Sequence, residues 1–348
     1  MTYIILYAAL LLLGLMSSGR PSARSFFYWL SLIGLWIFVA YRFEVGCDWV
    51  GYKNIFEIQR YDSFADAMQK REAGYWLANA LVQYLDLEYP YINVIAATVF
   101  FAGFHALATR QPDRLGFLIL SFPVLLINLA MSANRQAMAL GVLCYAFNAF
   151  VDRRFFRFMF LVALASMFHA SAIFFLFLVP FIKREFNKRT VVQSLILALP
   201  GAYFFLSGDL QFYQERYVGA GADAIGGPFR AGLLAITGGL FLWWLKKRWP
   251  AGTQTNELTF VLIGSYLMLA VFPIAFISSV IGDRFGYYLT PIQLIILSRI
   301  PFLVRGQQAT LVSLGPYMAM ALVLVVWTQL STLFQICYVP YQSWLFGL

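Results

Sequence analysis

FFRFMFLVALASMFHASAIFFLFLVPFI, residues 155–182, decides the topology of this chain. The stretch is long enough for one tilted membrane-crossing helix. Yet Arg153, Arg154 and Arg157 stand at one end, and Lys183, Arg184, Lys188 and Arg189 at the other. Lys and Arg in short loops collect on the cytoplasmic side of a membrane, so both ends belong on the same side. A break near His169, giving two short helices or a re-entrant hairpin, resolves the conflict. Irregular backbone at membrane depth is tolerated only where protein or a water-filled cavity surrounds it. The break therefore predicts a cavity with His169 at its tip.

Apolar runs flank this stretch on both sides. The chain has 348 residues, 61% hydrophobic and 12% charged, with mean hydropathy +0.73. No soluble domain of this length needs so much apolar surface. Spans are predicted at 2–16, 26–43, 91–109, 114–131, 134–151, 155–168, 170–182, 190–206, 230–245, 258–281, 284–300 and 310–334. The reading is an all-α polytopic membrane protein of about 11–12 segments, forming a single transmembrane domain. The alternating pattern of a transmembrane barrel is absent. Residues 2–16 lack a basic leader and a small-residue cleavage site, so they read as a retained helix.

Charge supports this topology. The basic loops that follow alternate spans hold 16 Lys/Arg against Asp113, Asp152, Glu185 and Glu257. The opposite face holds nine Lys/Arg against 12 acids, and the two faces account for the net +9. The excess is thus a topology signal, with contact to anionic lipids as a second use, and a nucleic-acid partner is set aside. Cys47, Cys144 and Cys337 show no metal-type spacing. With Cys144 inside a span, a disulfide framework is not expected.

The outer face carries two sizeable loops. Residues 44–90 contain an amphipathic segment, Ala73–Leu87, placed as an interfacial helix. Residues 207–229 are rich in Gly and Ala in their second half and read as a lid or gate.

Five short segments bring ionisable groups to that face, where an unpaired charge at the edge of hydrocarbon is costly. In RFEVGCDWVGYKNIF, Arg42 ends a span, Gly46 lets the backbone turn, and Asp48 and Tyr52 share one helical face. Arg42 offers a planar fork for phosphate and Asp48 a general base, against a plain anchoring pair beside belt aromatics. In REAGYWL, Glu72 opens the amphipathic helix, where it serves either the helix dipole or catalysis. In NRQAMA, Asn134, Arg135 and Gln136 begin a span, and a helix N-terminus beside Arg is an anion site. FHASA supplies His169 at the predicted break, whereas His105 has no such context and reads as structural. In GDRFGYYL, Arg284 begins a span with Tyr287 and Tyr288 one turn on, and Asp283 is expected to pair with Arg284. No His/Cys cluster, Walker loop, dinucleotide fingerprint, nucleophile elbow or Asp-rich cation site appears. No cofactor or metal is expected.

Together these segments resemble the EpsG family of bacterial polysaccharide polymerases, relatives of the Wzy O-antigen polymerases. The resemblance rests on RxxxGxDWxxYxxxF at Arg42–Phe56, ExGY at Glu72–Tyr75, NRQxxA at Asn134–Ala139, HxS at His169–Ser171 and RxxxY at Arg284–Tyr288. It covers roughly residues 26–300, and no motif is placed beyond 305. It implies a fold related to the GT-C glycosyltransferases and an active site facing the periplasm from the inner membrane. It also implies a reaction joining oligosaccharide repeat units carried on undecaprenyl pyrophosphate, alongside a chain-length regulator protein. On that reading, Asp48, then His169, then Glu72 are the base candidates. Arg42, Tyr52, Asn134, Arg135, Gln136, Arg284 and Tyr288 bind substrate, with the Arg residues neutralising pyrophosphate. Single displacement with inversion and no divalent metal is the expectation. An O-antigen ligase differs only in acceptor. A flippase for the lipid-linked oligosaccharide would need cations through the membrane depth, and a scaffold would need none of these charges.

Overall fold

Polar residues interrupt the apolar runs, and several of these interruptions become helix boundaries. The computed structural model describes residues 1–60, 62–184, 187–207, 226–250, 255–304 and 309–345. The predicted lid at 207–229 falls mostly outside the described residues. All regular structure among them is helical, apart from one isolated bridge between Arg42 and Ser343.

The chain opens with α1 (Thr2–Met16) and α2 (Pro21–Ala40). The outer loop then folds into α3 (Trp49–Ile58), α4 (Phe64–Gln69) and α5 (Ala73–Tyr84). Next come α6 (Pro90–Ala108) and α7 (Arg114–Ser121), the latter continued by a π-helical stretch, Phe122–Ala130. They are followed by α8 (Asn134–Val151), α9 (Phe155–Ser166), a 3-10 segment (Ala170–Phe181) and α10 (Lys188–Ser207). The remainder is α11 (Gly227–Leu240, continuing in helical form to Arg248), α12 (Thr255–Ile277), α13 (Ser279–Leu303), α14 (Ala309–Leu330) and α15 (Thr332–Tyr338).

Among the described residues, five helices are long and apolar enough to cross a membrane: Pro21–Ala40, Pro90–Ala108, Gly227–Arg248, Asn256–Ile277 and Ala309–Leu330. The apolar segments at the N-terminus, at 114–130 and at 155–181 are shorter. Helices α8 and α13 have the length but carry the polar residues of the site. The chain is an all-α, multi-pass membrane protein.

Residues 155–182 are broken where the basic clusters require it. Helix α9 ends at Ser166, His169 is extended at φ −150°, and a tighter 3-10 helix follows. The start of α5 is stitched to this break. The Gly74 amide donates to the Met167 carbonyl at 2.9 Å, and a Cβ at Gly74 would press on Met167 at 3.1 Å. Gly46 is likewise required, with φ +109° and the Met131 carbonyl 1.9 Å from where a Cβ would sit. Helices α6 and α8 cross in backbone contact, since a Cβ on Gly103 would lie 1.7 Å from the Gly141 carbonyl oxygen.

Two apolar clusters form. The larger runs through the bundle, and the smaller joins Trp49, Tyr52, Phe56, Tyr75 and Tyr89 to Ile92, Ala96 and Met138. Helices α3 and α5 therefore cap the outer ends of α6 and α8; the amphipathic segment is a docked element of the fold.

Three expectations are corrected. First, Cys47 and Cys337 form a disulfide, with Cα atoms 4.8 Å apart across 290 residues of sequence. The buried Cys144 is the free thiol. Sequence distance concealed a pair that folding makes adjacent. Second, the junction of α12 and α13 lies at Ser278, whose hydroxyl caps the Ile281 amide. Arg284 consequently stands in the second turn of α13, not at a span's start. Third, the last predicted span ends at Leu330, where Ser331 caps the separate helix α15.

Candidate functional site

A cavity of about 840 Å³ opens among the outer ends of α3, α8, α11, α13, α14 and α15 and the His169 break. Asp48, Tyr52, Arg135, Gln136, His169 and Arg284 all line it, so motifs spread from residue 48 to residue 284 meet at one place. Asp48 and Tyr52 arrive together because Asp48 stands at the N-cap position of α3, without a side-chain capping bond, and Tyr52 stands one turn later. Arg135 and Gln136 lie in the first turn of α8, where unsatisfied helical N–H groups favour anions.

Glu72 organises this wall from behind. Its backbone is left-handed, φ 63°, an uncommon state for a non-glycine residue that often marks a functional position. The side chain turns away from its own helix. Oε1 accepts from the Ala170 amide at 2.8 Å and lies 2.8 Å from His169 Nδ1; Oε2 accepts from Arg135 at 2.7 Å. Burial works to raise this carboxyl's pKa, but the hydrogen bond from His169, the Arg135 charge and the Ala170 amide outweigh it and hold it at about 2. An ionised carboxylate can only accept, so His169 Nδ1 carries the proton and neutral His169 keeps its lone pair on Nε2. At so low a pKa Glu72 is a poor base, and it lies outside the cavity lining. Its two oxygens tie His169, Ala170 and Arg135 together.

Arg135 is further fixed against the rings of Tyr52 and Tyr75, at 5.6 and 5.8 Å from their centroids. Its Nε is buried without a hydrogen-bond partner among the described residues. Asp48 presents its carboxylate to the cavity while protein encloses it from behind. That desolvation raises its pKa above the ordinary value, against the pull of Arg284 and Arg135. Gln136 lines the cavity and donates to the Arg284 backbone carbonyl at 2.6 Å, tying α8 to α13.

Three predicted binders lie elsewhere. Arg42 is fully buried and donates to the carbonyls of Val39 and Val45 and to the side-chain oxygens of Asn93 and Asn134, at 2.7–3.2 Å. Asn134 is equally buried and also donates to Asn93. The pair joins the end of α2 to α6 and α8 and takes no part in the cavity. Tyr288 is buried against Ser171, with their hydroxyl oxygens 3.0 Å apart, while Tyr287 faces the cavity instead. A buried guanidinium needs every acceptor it can find, and sequence alone does not reveal that Asn93 and Asn134 supply them.

Arg230 was missed. It lines the cavity from the first turn of α11, pairs with Asp283 at 2.5 Å and lies over the Tyr287 ring at 5.7 Å. Asp283 thus pairs with Arg230. The signal was present, since Arg230 begins an outer-face span as Arg135 does. The C-terminal segment was missed too: α15 contributes Phe334 and Tyr338 to the cavity, and the disulfide holds α15 beside Asp48. Among the described residues, no cluster of three or more His, Cys, Asp or Glu side chains is placed to hold a metal.

The family profile described as EpsG family matches residues 25–343, covering every element that builds this cavity. The chain belongs to the EpsG family. No curated protein and no solved structure matches it. Membership points to a polysaccharide-polymerase type of role for this multi-pass membrane protein. The match extends through α15, so the segment without a legible motif is part of the EpsG unit.

Proposed function

We propose that this EpsG-family protein is a glycosyltransferase that polymerises lipid-linked oligosaccharide repeat units at the periplasmic face of the bacterial inner membrane. One observation carries the reading: Asp48 shares a single open cavity with Arg135, Arg230 and Arg284. A carboxylate, Asp48, beside three guanidinium groups, of which Arg230 is already paired with Asp283, suits transfer from a pyrophosphate leaving group to a hydroxyl. The disulfide between Cys47 and Cys337 supports the periplasmic side, because such bonds persist in oxidising compartments.

In this mechanism the growing glycan on undecaprenyl pyrophosphate is the donor. A hydroxyl oxygen of the incoming unit attacks the anomeric carbon and loses its proton to Asp48. The bond from that carbon to the pyrophosphate oxygen breaks, and the leaving group carries away the electron pair. Arg135, Arg230 and Arg284 stabilise the developing charge, an electrostatic contribution that is usually the largest in such reactions. One displacement inverts the anomeric configuration. His169 Nε2 and Gln136 orient the sugars.

A deletion strain provides the test. The polymerase reading expects surface polysaccharide to collapse on a gel from a ladder to a single repeat unit. Loss of all lipid-A-linked sugar would instead mean a ligase, and cytoplasmic build-up of the lipid-linked unit a flippase.

A further inference from the structure

The stretch FPVLLINLA, Phe122–Ala130, carries a single polar side chain, Asn128. It is π-helical, a rare geometry that gathers at functional sites. Pro123, near its start, lacks the N–H that a regular helix would use there. Asn128 lines the cavity, as do Val124 four residues before it and Ser132 four residues after. The Asp48 backbone amide donates to the Ser132 hydroxyl at 3.3 Å. Asn128 therefore stands one turn from a residue that touches Asp48.

Other amides in the helices of this chain are satisfied by backbone carbonyls. Asn79 donates to Tyr75, Gln111 to Leu107, Asn148 to Ala106 and Gln293 to Leu233. Asn128 departs from them: it is half-buried, yet among the described residues its side-chain amide has no hydrogen-bond partner. An amide both accepts and donates, and leaving it unmet among apolar residues costs free energy. Trp327 of α14 lines the same cavity, half-buried, with its ring edge-on to Phe334 and Tyr338 at 4.9 and 5.4 Å between centroids. The Tyr338 hydroxyl reaches the Asn128 backbone carbonyl at 3.5 Å, so Tyr338 adjoins both residues. The Trp327 indole N–H also has no partner among the described residues. An aromatic ring near a planar amide complements a pyranose, whose C–H face covers the ring while its polar substituents meet the amide and the N–H. A bare hydrocarbon chain would leave both polar groups unmet.

We propose that Asn128 and Trp327 form a saccharide subsite that holds the pyranose ring of the acceptor's terminal sugar and sets which sugar is accepted. The inference rests on the function proposed above and adds to it the side chains that read the acceptor. The acceptor ring is the one assigned, because Ser132 links this corner of the cavity to Asp48. The Asn128 amide bonds the substituents beside the attacking hydroxyl, and Trp327 carries the ring.

The test uses the full-length protein in lipid nanodiscs and saturation-transfer NMR. The probe is the repeat-unit oligosaccharide released from its lipid by mild acid, and the comparison ligand is undecaprenyl pyrophosphate bearing no sugar. Wild-type protein should bind the oligosaccharide saturably, and Asn128→Leu or Trp327→Ala should weaken that binding roughly tenfold. Both variants should bind the sugar-free lipid as the wild type does. Trp327→Phe keeps a ring and loses the N–H, so its loss should be smaller than that of Trp327→Ala. Asn128→Ala, the smaller change, answers the same question if Asn128→Leu does not fold. Wild-type protein that does not bind the oligosaccharide overturns the subsite, as does unchanged binding in the Asn128 and Trp327→Ala variants. A variant with the wild-type thermal midpoint that loses the sugar-free lipid instead of the oligosaccharide overturns it too. The two readings fail separately: protein that binds the oligosaccharide through Asn128 but lengthens no glycan keeps the subsite and loses the polymerase.

Discussion

Asp48 faces the cavity as a carboxylate that its surroundings desolvate. A group whose folded pKa lies above its unfolded one costs stability when it ionises. Its stabilising contribution is present at low pH and is lost as pH rises through the folded pKa. Asp48→Asn should therefore raise the thermal midpoint at neutral pH while abolishing turnover, and a lowered midpoint would mean the carboxylate is structural. As a base, Asp48 must be ionised, so kcat/KM should fall as pH drops through a pKa above the ordinary value near 3.8. An acid limb at or below that value would speak against Asp48. Arg135→Lys keeps the charge but loses the planar fork held by Glu72 and the two tyrosine rings. The lost charge-assisted contact is worth about 1.5–3 kcal/mol, or roughly 10- to 100-fold in rate if it acts in the transition state. Arg42→Ala should behave differently, lowering protein level and thermal stability through the unsatisfied side-chain oxygen of Asn134, about 1–3 kcal/mol for a buried group, and through the space the side chain leaves. A stable, inactive Arg42→Ala protein would return Arg42 to the chemistry. Which arginine serves which purpose was not legible in the sequence. Arg42, Arg135, Arg230 and Arg284 all sit near span ends, and only packing separates the buried tie from the cavity lining.

At the scale of elements, the broken helix at 155–182 was legible because two basic clusters demanded it. The amphipathic α5 was also legible, though not its partner: only the fold shows Gly74 and Glu72 meeting Met167 and Ala170 at the break. The C-terminal elements were illegible because their constraint is a contact across 290 residues. The tail also pairs with the α2 end, through Gly46 to Cys337, Phe43 to Gln342 and Trp344 to Tyr41. Cys337→Ser should thus free α15 from the Asp48 loop and reduce turnover, while the spans keep their fold. Full activity in this variant, or in protein treated with reductant and shown by thiol labelling to be reduced, would mean that the remaining backbone contacts suffice to hold α15.

Across the whole molecule, ion pairs divide by face. Arg24–Asp113, Arg110–Asp152 and Arg299–Glu257 lie at one end, and Arg135–Glu72 and Arg230–Asp283 at the other. Cysteine labelling in intact cells should modify position 48 and leave position 247 protected; the reverse pattern would invert the topology. Since Glu72 and Asp283 are each committed to a guanidinium, turnover should persist in excess EDTA, and loss that Mg²⁺ restores would make Asp48 a metal ligand. The central claim is that this cavity joins lipid-linked glycans. Purified protein, reconstituted with lipid-linked repeat units alone, tests it most directly. The account predicts that wild-type protein builds a ladder of longer lipid-linked glycans, and that Asp48→Asn and Arg284→Ala, folded and at equal concentration, build none. A wild-type reaction that leaves the units unlengthened, or an Asp48→Asn protein that still makes the full ladder, would contradict it.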